Sequence, residues 1–335
     1  MNQDINDKSP MFLPLVNGYQ LNQQVVRLYQ LQDQIGSGGY GFVMSAIHRE
    51  TQKSVAVKFI YKHKLPAQFN GPDDIPSEVS ILKQIKHPTV IEYIDSYQDE
   101  MYHYLIMELY GCEWPSSHQA SDDSNSEDSS CESDTFSVTP PSLCQDYPMR
   151  RRNSSDLFEC IESHTKLSES QTQNIIRQLV QCMSDLSDLG IYHRDIKDEN
   201  IVVDSNFQVK LVDFGSAIQI PSDLPDRDQF TMNKFHGTIT FASPEILLGL
   251  NYKPEPAEVW SLGILLFTLL YGQVPFANST QVISGNWRRP AKEPNCSHSC
   301  LDLLDGMLKN NPQKRLSIKS ILHHPWLQVK CEQPA

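Results

Sequence analysis

The chain has 335 residues, 39% of them hydrophobic, enough for a sizeable core in one or two domains, and a formal net charge of −13. That charge argues against general affinity for nucleic acid or anionic membranes. The longest apolar run, Trp260 to Tyr271, is too short to span a bilayer and reads as a buried helix.

Eight cysteines lie scattered without paired spacing, and the N-terminus lacks the basic and apolar pattern of a signal sequence. A reducing compartment follows, cytoplasmic with nuclear access. Cys296, His298 and Cys300 cluster, but without a second pair of ligands in register they do not make a zinc site.

In chain order, residues 1–27 show no strong periodicity and are expected to be a flexible lead-in. From Leu28 to Ile60 the pattern is strand, Gly-rich turn, strand, turn, strand. The turn, Gly36-Ser37-Gly38-Gly39-Tyr40-Gly41-Phe42-Val43, reads G-x-G-x-x-G-x-V. It joins two strands, which excludes the strand-to-helix dinucleotide version and fits a hairpin lid over phosphates. Glycine lets backbone N–H groups approach phosphate oxygens unobstructed.

Lys58, in Val55-Ala56-Val57-Lys58, sits on the following strand and can bridge phosphate oxygens. The stretch "DDIPSEVSILKQIKHP" predicts a helix, with Pro76 in its first turn, Ile81, Leu82 and Ile85 on its apolar face and Pro88 stopping it. Glu78 on that helix is placed to orient Lys58 by an ion pair. Two more strands follow around a turn, ending in "YLIMELY".

Residues 114 to about 153 have few aliphatics and many Ser, Asp, Glu and Pro, including Asp122, Asp123, Glu127, Asp128, Glu132 and Asp134. Such a segment cannot bury enough apolar surface to offset its ordering entropy and is expected to be disordered. Order returns at "SSDLFECIESH". The next helix starts with a capping box, Ser168 with Gln171. It carries the stripe Ile175, Ile176, Leu179, Val180, Met183 and Leu186, and Gly190 suits its C-terminal turn. Short strands, an irregular stretch from about 214 to 242 and helices to about 327 complete the pattern. A β-rich front and helical rear predict an α+β architecture with two lobes.

The most specific stretch is "YHRDIKDENIVVD". His193-Arg194-Asp195, Lys197 and Asn200 place an acid, a base and an amide on one short loop. Asp213-Phe214-Gly215 follows, and Ser243-Pro244-Glu245 closes the irregular stretch. In this order, with the glycine hairpin and strand lysine, they exclude coincidence.

These motifs resemble the eukaryotic protein kinases over roughly residues 28–327. Lys197, just after Asp195, resembles the serine/threonine rather than the tyrosine class. "HRDIKDENIV", "DFGSA", "GTI" and "EVWSLG" resemble the catalytic domain of PAS kinases more closely. With 27 residues before the kinase motifs, no sensor domain is expected.

The resemblance implies a bilobal fold, with an N-lobe over about 28–108, a C-lobe over about 109–327 and a tail over 328–335. Met107 is then the gatekeeper and Glu108 opens the hinge. The acidic serine-rich stretch of about 114–153 becomes an insert between hinge and C-lobe, its ends expected close together. ATP sits between the lobes, with Val43 and Ala56 above the adenine, Val202 beneath and backbone groups of Glu108 and its neighbours at its edge. Lys58, held by Glu78, meets the α/β-phosphates. Asn200 and Asp213 hold Mg2+. Asp195 orients the substrate hydroxyl and takes its proton, and Lys197 offsets charge near the γ-phosphoryl.

Asp156 and Glu199 fall where related kinases that prefer basic substrates carry acids. They imply protein substrates with arginine upstream of the target Ser/Thr. Ser154, preceded by Arg150, Arg151 and Arg152, is then a candidate autophosphorylation site. The alternatives are a pseudokinase scaffold and a small-molecule phosphotransferase. The first is disfavoured by the presence of Lys58, Asp195, Asn200 and Asp213. The second is disfavoured by Ser-Pro-Glu and by Arg315, which resembles the ion-pair partner of Glu245.

Three positions depart from the commonest pattern. Ser243 replaces an alanine, and Glu258 replaces the aspartate that braces the catalytic-loop backbone. Lys234 stands where many kinases carry a phosphorylatable residue. Lys234 is expected to turn to solvent or a nearby acid, with the loop ordered through Phe230 and Phe235 or by substrate and the enzyme active without phosphorylation. Thr231 is the alternative phosphosite.

Overall fold

Alternating apolar and polar residues in the front of the chain need a common face to bury, and five strands supply it. The computed structural model describes residues 15–16, 19–69, 71, 74–114, 155–224, 229–285 and 296–328. A minimal pair, β1 (Leu15–Val16) and β2 (Tyr19–Gln20), precedes helix α1 (Gln23–Leu28). Strands β3 (Tyr29–Gly38), β4 (Gly41–His48) and β5 (Ser54–Tyr61) are followed by α2 (Ser77–Leu82), then β6 (Tyr93–Gln98) and β7 (Tyr102–Glu108). The sheet runs β3-β4-β5-β7-β6, antiparallel throughout.

One sheet face packs Phe42, Val57, Phe59, Tyr102, Tyr104 and Ile106 against Leu21, Val25 and Val26. Residues 19–27 are therefore no loose lead-in, which moves the start of the folded unit back from residue 28. Asn22 caps α1 through its side chain and donates from Nδ2 to the Gln98 carbonyl at 2.8 Å. The predicted helix before β6 is shorter than its sequence pattern. It starts at Ser77, with Pro76 as its cap residue, and ends at Leu82, yet Ile81, Leu82 and Ile85 are all buried as expected.

The second lobe holds α3 (Leu157–His164), α4 (Glu169–Asp188), β8 (Ile191–Tyr192), β9 (Ile201–Val203), β10 (Val209–Leu211) and β11 (Ile218–Gln219). It continues through α5 (Pro244–Leu247), α6 (Pro254–Tyr271), α7 (Ser279–Ser284), α8 (His298–Met307), α9 (Ile318–Leu322) and α10 (Pro325–Gln328). Both halves of the Ser168–Gln171 capping box form, and every member of the α4 stripe is buried. Helix α6 is apolar on nearly all sides and forms the core of this lobe. It ends at Gly272 in the left-handed region, φ +69°, where a Cβ would sit 2.1 Å from the Thr165 carbonyl. The apolar run from Trp260 is thus a core helix, and no described helix is long and apolar enough to cross a membrane.

Residues 115–154, most of the expected insert, lie outside the described residues, as do 1–14 and 329–335. The insert's flanks are well placed. Trp114, assigned to the insert by composition, is buried against Phe207 and His164. Val203 accepts from the Cys112 amide at 3.2 Å and donates to the Ser155 carbonyl at 2.9 Å. Gly111, φ +101°, lies so close to Ser155 that a Cβ there would be 2.4 Å from the serine Cβ. The two ends of the insert meet on β9.

Candidate active site

The β3–β4 hairpin brings Gly38 opposite Gly41, with Gly39 and Tyr40 at its tip. Gly41 is required by packing, because a Cβ there would sit 1.9 Å from the Phe59 carbonyl oxygen. At Gly38 and Gly39 a Cβ would meet nothing within 4 Å, so the tip has open space around both positions. Gly36 and Ser37 pair with Val43 and Phe42.

Register then places Lys58 opposite Val43 on one side and Leu105 on the other. Its Nζ donates to Glu78 Oε1 at 2.6 Å and Oε2 at 2.8 Å, so the predicted ion pair forms. It also reaches Asp213 Oδ1 at 2.7 Å, a contact between the lobes that the motifs did not announce. Burial alone would pull the Lys58 ammonium down, but Asp213 and Glu78 outweigh it and hold the group raised and charged. Burial raises Glu78. The Lys58 charge holds Asp213 at about 2. Asp213 adopts a left-handed backbone, φ +59°, with its side chain half exposed to the cleft. Gly215 packs beneath, where a Cβ would be 3.0 Å from Asp213 Oδ1.

The catalytic-loop motif folds around His193, which is buried edge-on against Phe214 at 4.7 Å. Its Nε2 donates to the Val212 carbonyl at 2.9 Å, and Nδ1 accepts from the Asp195 amide at 3.3 Å. The Asp195 carboxylate is held from both sides. Oδ2 accepts from Asn200 Nδ2 at 2.9 Å, and Oδ1 accepts from the Thr238 amide at 2.9 Å. Lys197 Nζ lies 3.9 Å from Asp195 Oδ2 and 2.5 Å from Glu199 Oε2.

Glu258 makes the brace in the aspartate's place: Oε1 accepts from the Arg194 amide at 2.8 Å. Burial pushes this carboxyl up to about 7. Arg194, φ +68°, donates from Nη2 to the backbone carbonyl of Lys234 at 3.1 Å, and the Tyr252 hydroxyl donates to the same oxygen at 2.9 Å. The Lys234 side chain is exposed, as expected, and its carbonyl meets the arginine. Phe235 packs on Gly237, and Phe230 lies beside Tyr192 and Ile220 in a cavity of about 540 Å³ away from the interlobe cleft.

Of the residues expected around the adenine, Val43 and Val202 are half-buried, while Ala56 and Met107 pair across β5 and β7 and are buried. Glu108 turns its carboxylate to Lys210 Nζ at 2.5 Å and the Glu92 amide at 2.7 Å, which leaves main-chain atoms as its contribution to the cleft.

The two acids assigned to substrate recognition are not equivalent. Asp156 caps α3, accepting from the Glu159 amide at 2.9 Å, whereas the Glu199 side chain is 57% exposed beside Lys197. Thr231 is exposed, and Ser154 lies outside the described residues. Behind the cleft, Arg315 meets Glu245 with two parallel bonds of 2.8 and 3.0 Å, fully buried beneath the activation segment. The Ser243 hydroxyl is buried with no hydrogen-bond partner among the described residues.

The donor set fits a magnesium–nucleotide complex. Among the described residues no group of three His, Cys, Asp or Glu side chains could cage a metal. Mg2+ takes most of its ligands from water and phosphates and needs only one or two protein oxygens. Asp213 offers a half-exposed carboxylate, and Asn200, with its amide nitrogen spent on Asp195, offers its amide oxygen.

Fold and cleft together define a bilobal phosphotransferase scaffold. The family model described as "Protein kinase domain" matches residues 29–131 and 142–327, and the chain belongs to the protein kinase family. It is 30% identical to the PAS domain-containing serine/threonine-protein kinase of Mus musculus, over 89% of this chain and 18% of that protein. It is likewise 30% identical to serine/threonine-protein kinase PSK2 of Saccharomyces cerevisiae, over 88% of this chain and 23% of that protein. Serine/threonine-protein kinase pim-2 of Danio rerio is 27% identical, over 89% of this chain and 84% of that protein. The chain thus spans about a fifth of the length of the first two relatives.

Proposed function

We propose that the chain is an active serine/threonine protein kinase. It transfers the γ-phosphoryl of ATP to a protein hydroxyl and prefers arginine upstream of the target, chiefly three residues before it. One observation carries the reading: Asp195 is fixed through both carboxylate oxygens while the Lys58–Glu78 pair is closed. A scaffold that only kept the fold has no need of either arrangement, which argues against the pseudokinase alternative.

In this reading Asp195 orients the substrate hydroxyl and accepts its proton as the new O–P bond forms and the bond to the ADP oxygen breaks. Lys58 meets the α/β-phosphates, and Glu78 keeps it from swinging away. Lys197 balances charge beside the γ-phosphoryl. Asn200 and Asp213 would hold Mg2+, which would supply charge neutralisation at the phosphate oxygens. Positioning and preset electrostatics supply most of the rate, since the protein forms no covalent bond itself.

The Arg194–Lys234 carbonyl bond supports activity without a phosphate on the activation segment. A backbone acceptor already takes one N–H of the guanidinium that a phosphate would otherwise recruit. Glu199, more exposed than Asp156, is the better candidate for a substrate arginine, which would compete with Lys197 for it. Reduced thiols at Cys112, Cys160 and Cys182 support a cytoplasmic setting, with nuclear access.

The test is labelled ATP with a positional peptide library, wild type against Lys58→Met. Incorporation into Ser/Thr peptides, strongest with arginine at the third position before the acceptor, is expected. Incorporation no higher than in Lys58→Met would refute the kinase reading, and a flat profile upstream would refute the arginine preference alone.

A further inference from the structure

Between β5 and α2 the chain makes a loop whose last turn carries Phe69. The ring is 5% exposed although it lies on no strand or α-helix. It contacts Tyr40, at the tip of the glycine hairpin, with centroids 6.0 Å apart, and His236, in the activation segment, edge-on at 4.9 Å. The Phe69 carbonyl accepts from Ser77 Oγ at 3.0 Å, and Ser77 is the first residue of α2 and neighbour to Glu78. On the other side, His236 precedes Gly237 and Thr238, whose amide holds Asp195 Oδ1. Gly237 is clamped there by the Phe235 ring and the Arg194 carbonyl. Burial, with Arg194 and Lys234 nearby, lowers His236.

We propose that Phe69 and His236 form an aromatic clasp that positions three parts of the machinery at once: the glycine hairpin, the Glu78 helix and the activation segment that holds Asp195. The clasp rests on the kinase reading above and says how this chain keeps its lobes in register without a phosphate. The pairing contributes where the parts must meet, not to the core of either lobe. An aromatic pair of this geometry shifts an equilibrium by about two- to twelve-fold.

The experiment is a double-mutant cycle with two readouts on the full chain. Phe69→Leu keeps apolar volume without the ring, His236→Ala removes the other half, and His236→Phe restores an uncharged ring. Hydrogen exchange is followed in residues 77–82 and 229–238, and kcat and KM for ATP are measured with the best library peptide. Phe69→Leu and His236→Ala are each expected to speed exchange in both segments while α6 stays unchanged. Each should also lower kcat/KM about three- to ten-fold, the double variant should be no worse than the worse single, and His236→Phe should recover most of the loss. Two outcomes overturn the clasp: exchange that rises in only one of the two segments, or single effects that multiply in the double variant. A wild type that transfers no phosphate refutes the kinase reading, and the exchange cycle then still decides whether the two rings are coupled.

Discussion

Replacing Glu258 by glutamine removes a charge that the fold holds at a cost. The carboxyl is 7% exposed, and burial pushes it up to about 7 from an ordinary value of 4.5. Ionising it inside the fold therefore costs about 3 kcal/mol, at 1.36 kcal/mol for each tenfold change in the equilibrium. Because the folded-state value is raised, the folded chain binds the extra proton. The stability from that proton is full below about pH 4.5 and is lost as pH rises through 7. Glutamine keeps an oxygen for the Arg194 amide but does not titrate. The melting temperature of the wild type relative to Glu258→Gln should then fall between pH 5 and pH 8, by about 5 °C for a domain of this size. Scanning calorimetry of both proteins over that range reads the difference, which cancels the titration of every other group. Parallel curves would mean that Glu258 ionises as an exposed carboxyl does, and would refute the buried brace.

Lys58→Met should lower phosphotransfer at least about 100-fold by removing a preset phosphate contact, measured as label incorporated into peptide. Arg315→Ala leaves Glu245 buried and unpaired, and should destabilise the chain by about 3–5 kcal/mol in denaturant titration. Bacterially expressed enzyme, treated with phosphatase and checked by intact mass, should stay active. A tenfold loss restored by phosphate on Thr231 would show a phospho-switch in its place. Deleting residues 116–148 should leave the fold and basal activity largely intact, because both flanks are already fixed on Val203. An insoluble product would contradict this.

Features written in side chains at short range were legible. The Ser168–Gln171 box and the α4 stripe depend on spacing along one helix, and the Lys58–Glu78 pair on motif order. The hydrogen-bond partners that complete the site were not legible, because they are backbone atoms with no letter of their own. The Lys234 carbonyl that takes Arg194 and the Thr238 amide that holds Asp195 exist only once the activation segment has folded. Helix α1 escaped for a related reason. It spans 6 residues, too few for periodicity to speak, and its stability comes from burial of Val25 and Val26 against the sheet. Trp114 was misread because the polar residues that follow it outweigh one tryptophan in any composition window. Phe69 gave no signal at all, since a lone aromatic in a loop reads as surface until Tyr40 and His236 close over it.

The central claim is that Asp195, held between Asn200 and Thr238, is the group that readies the substrate hydroxyl. Asp195→Asn tests it most directly, with transfer of labelled phosphate to peptide and affinity for ATP measured on the same preparation. The account predicts transfer lowered at least about 100-fold with ATP affinity changed little, since the residue faces the hydroxyl and not the nucleotide. Transfer near the wild-type rate, with ATP still bound, would contradict it.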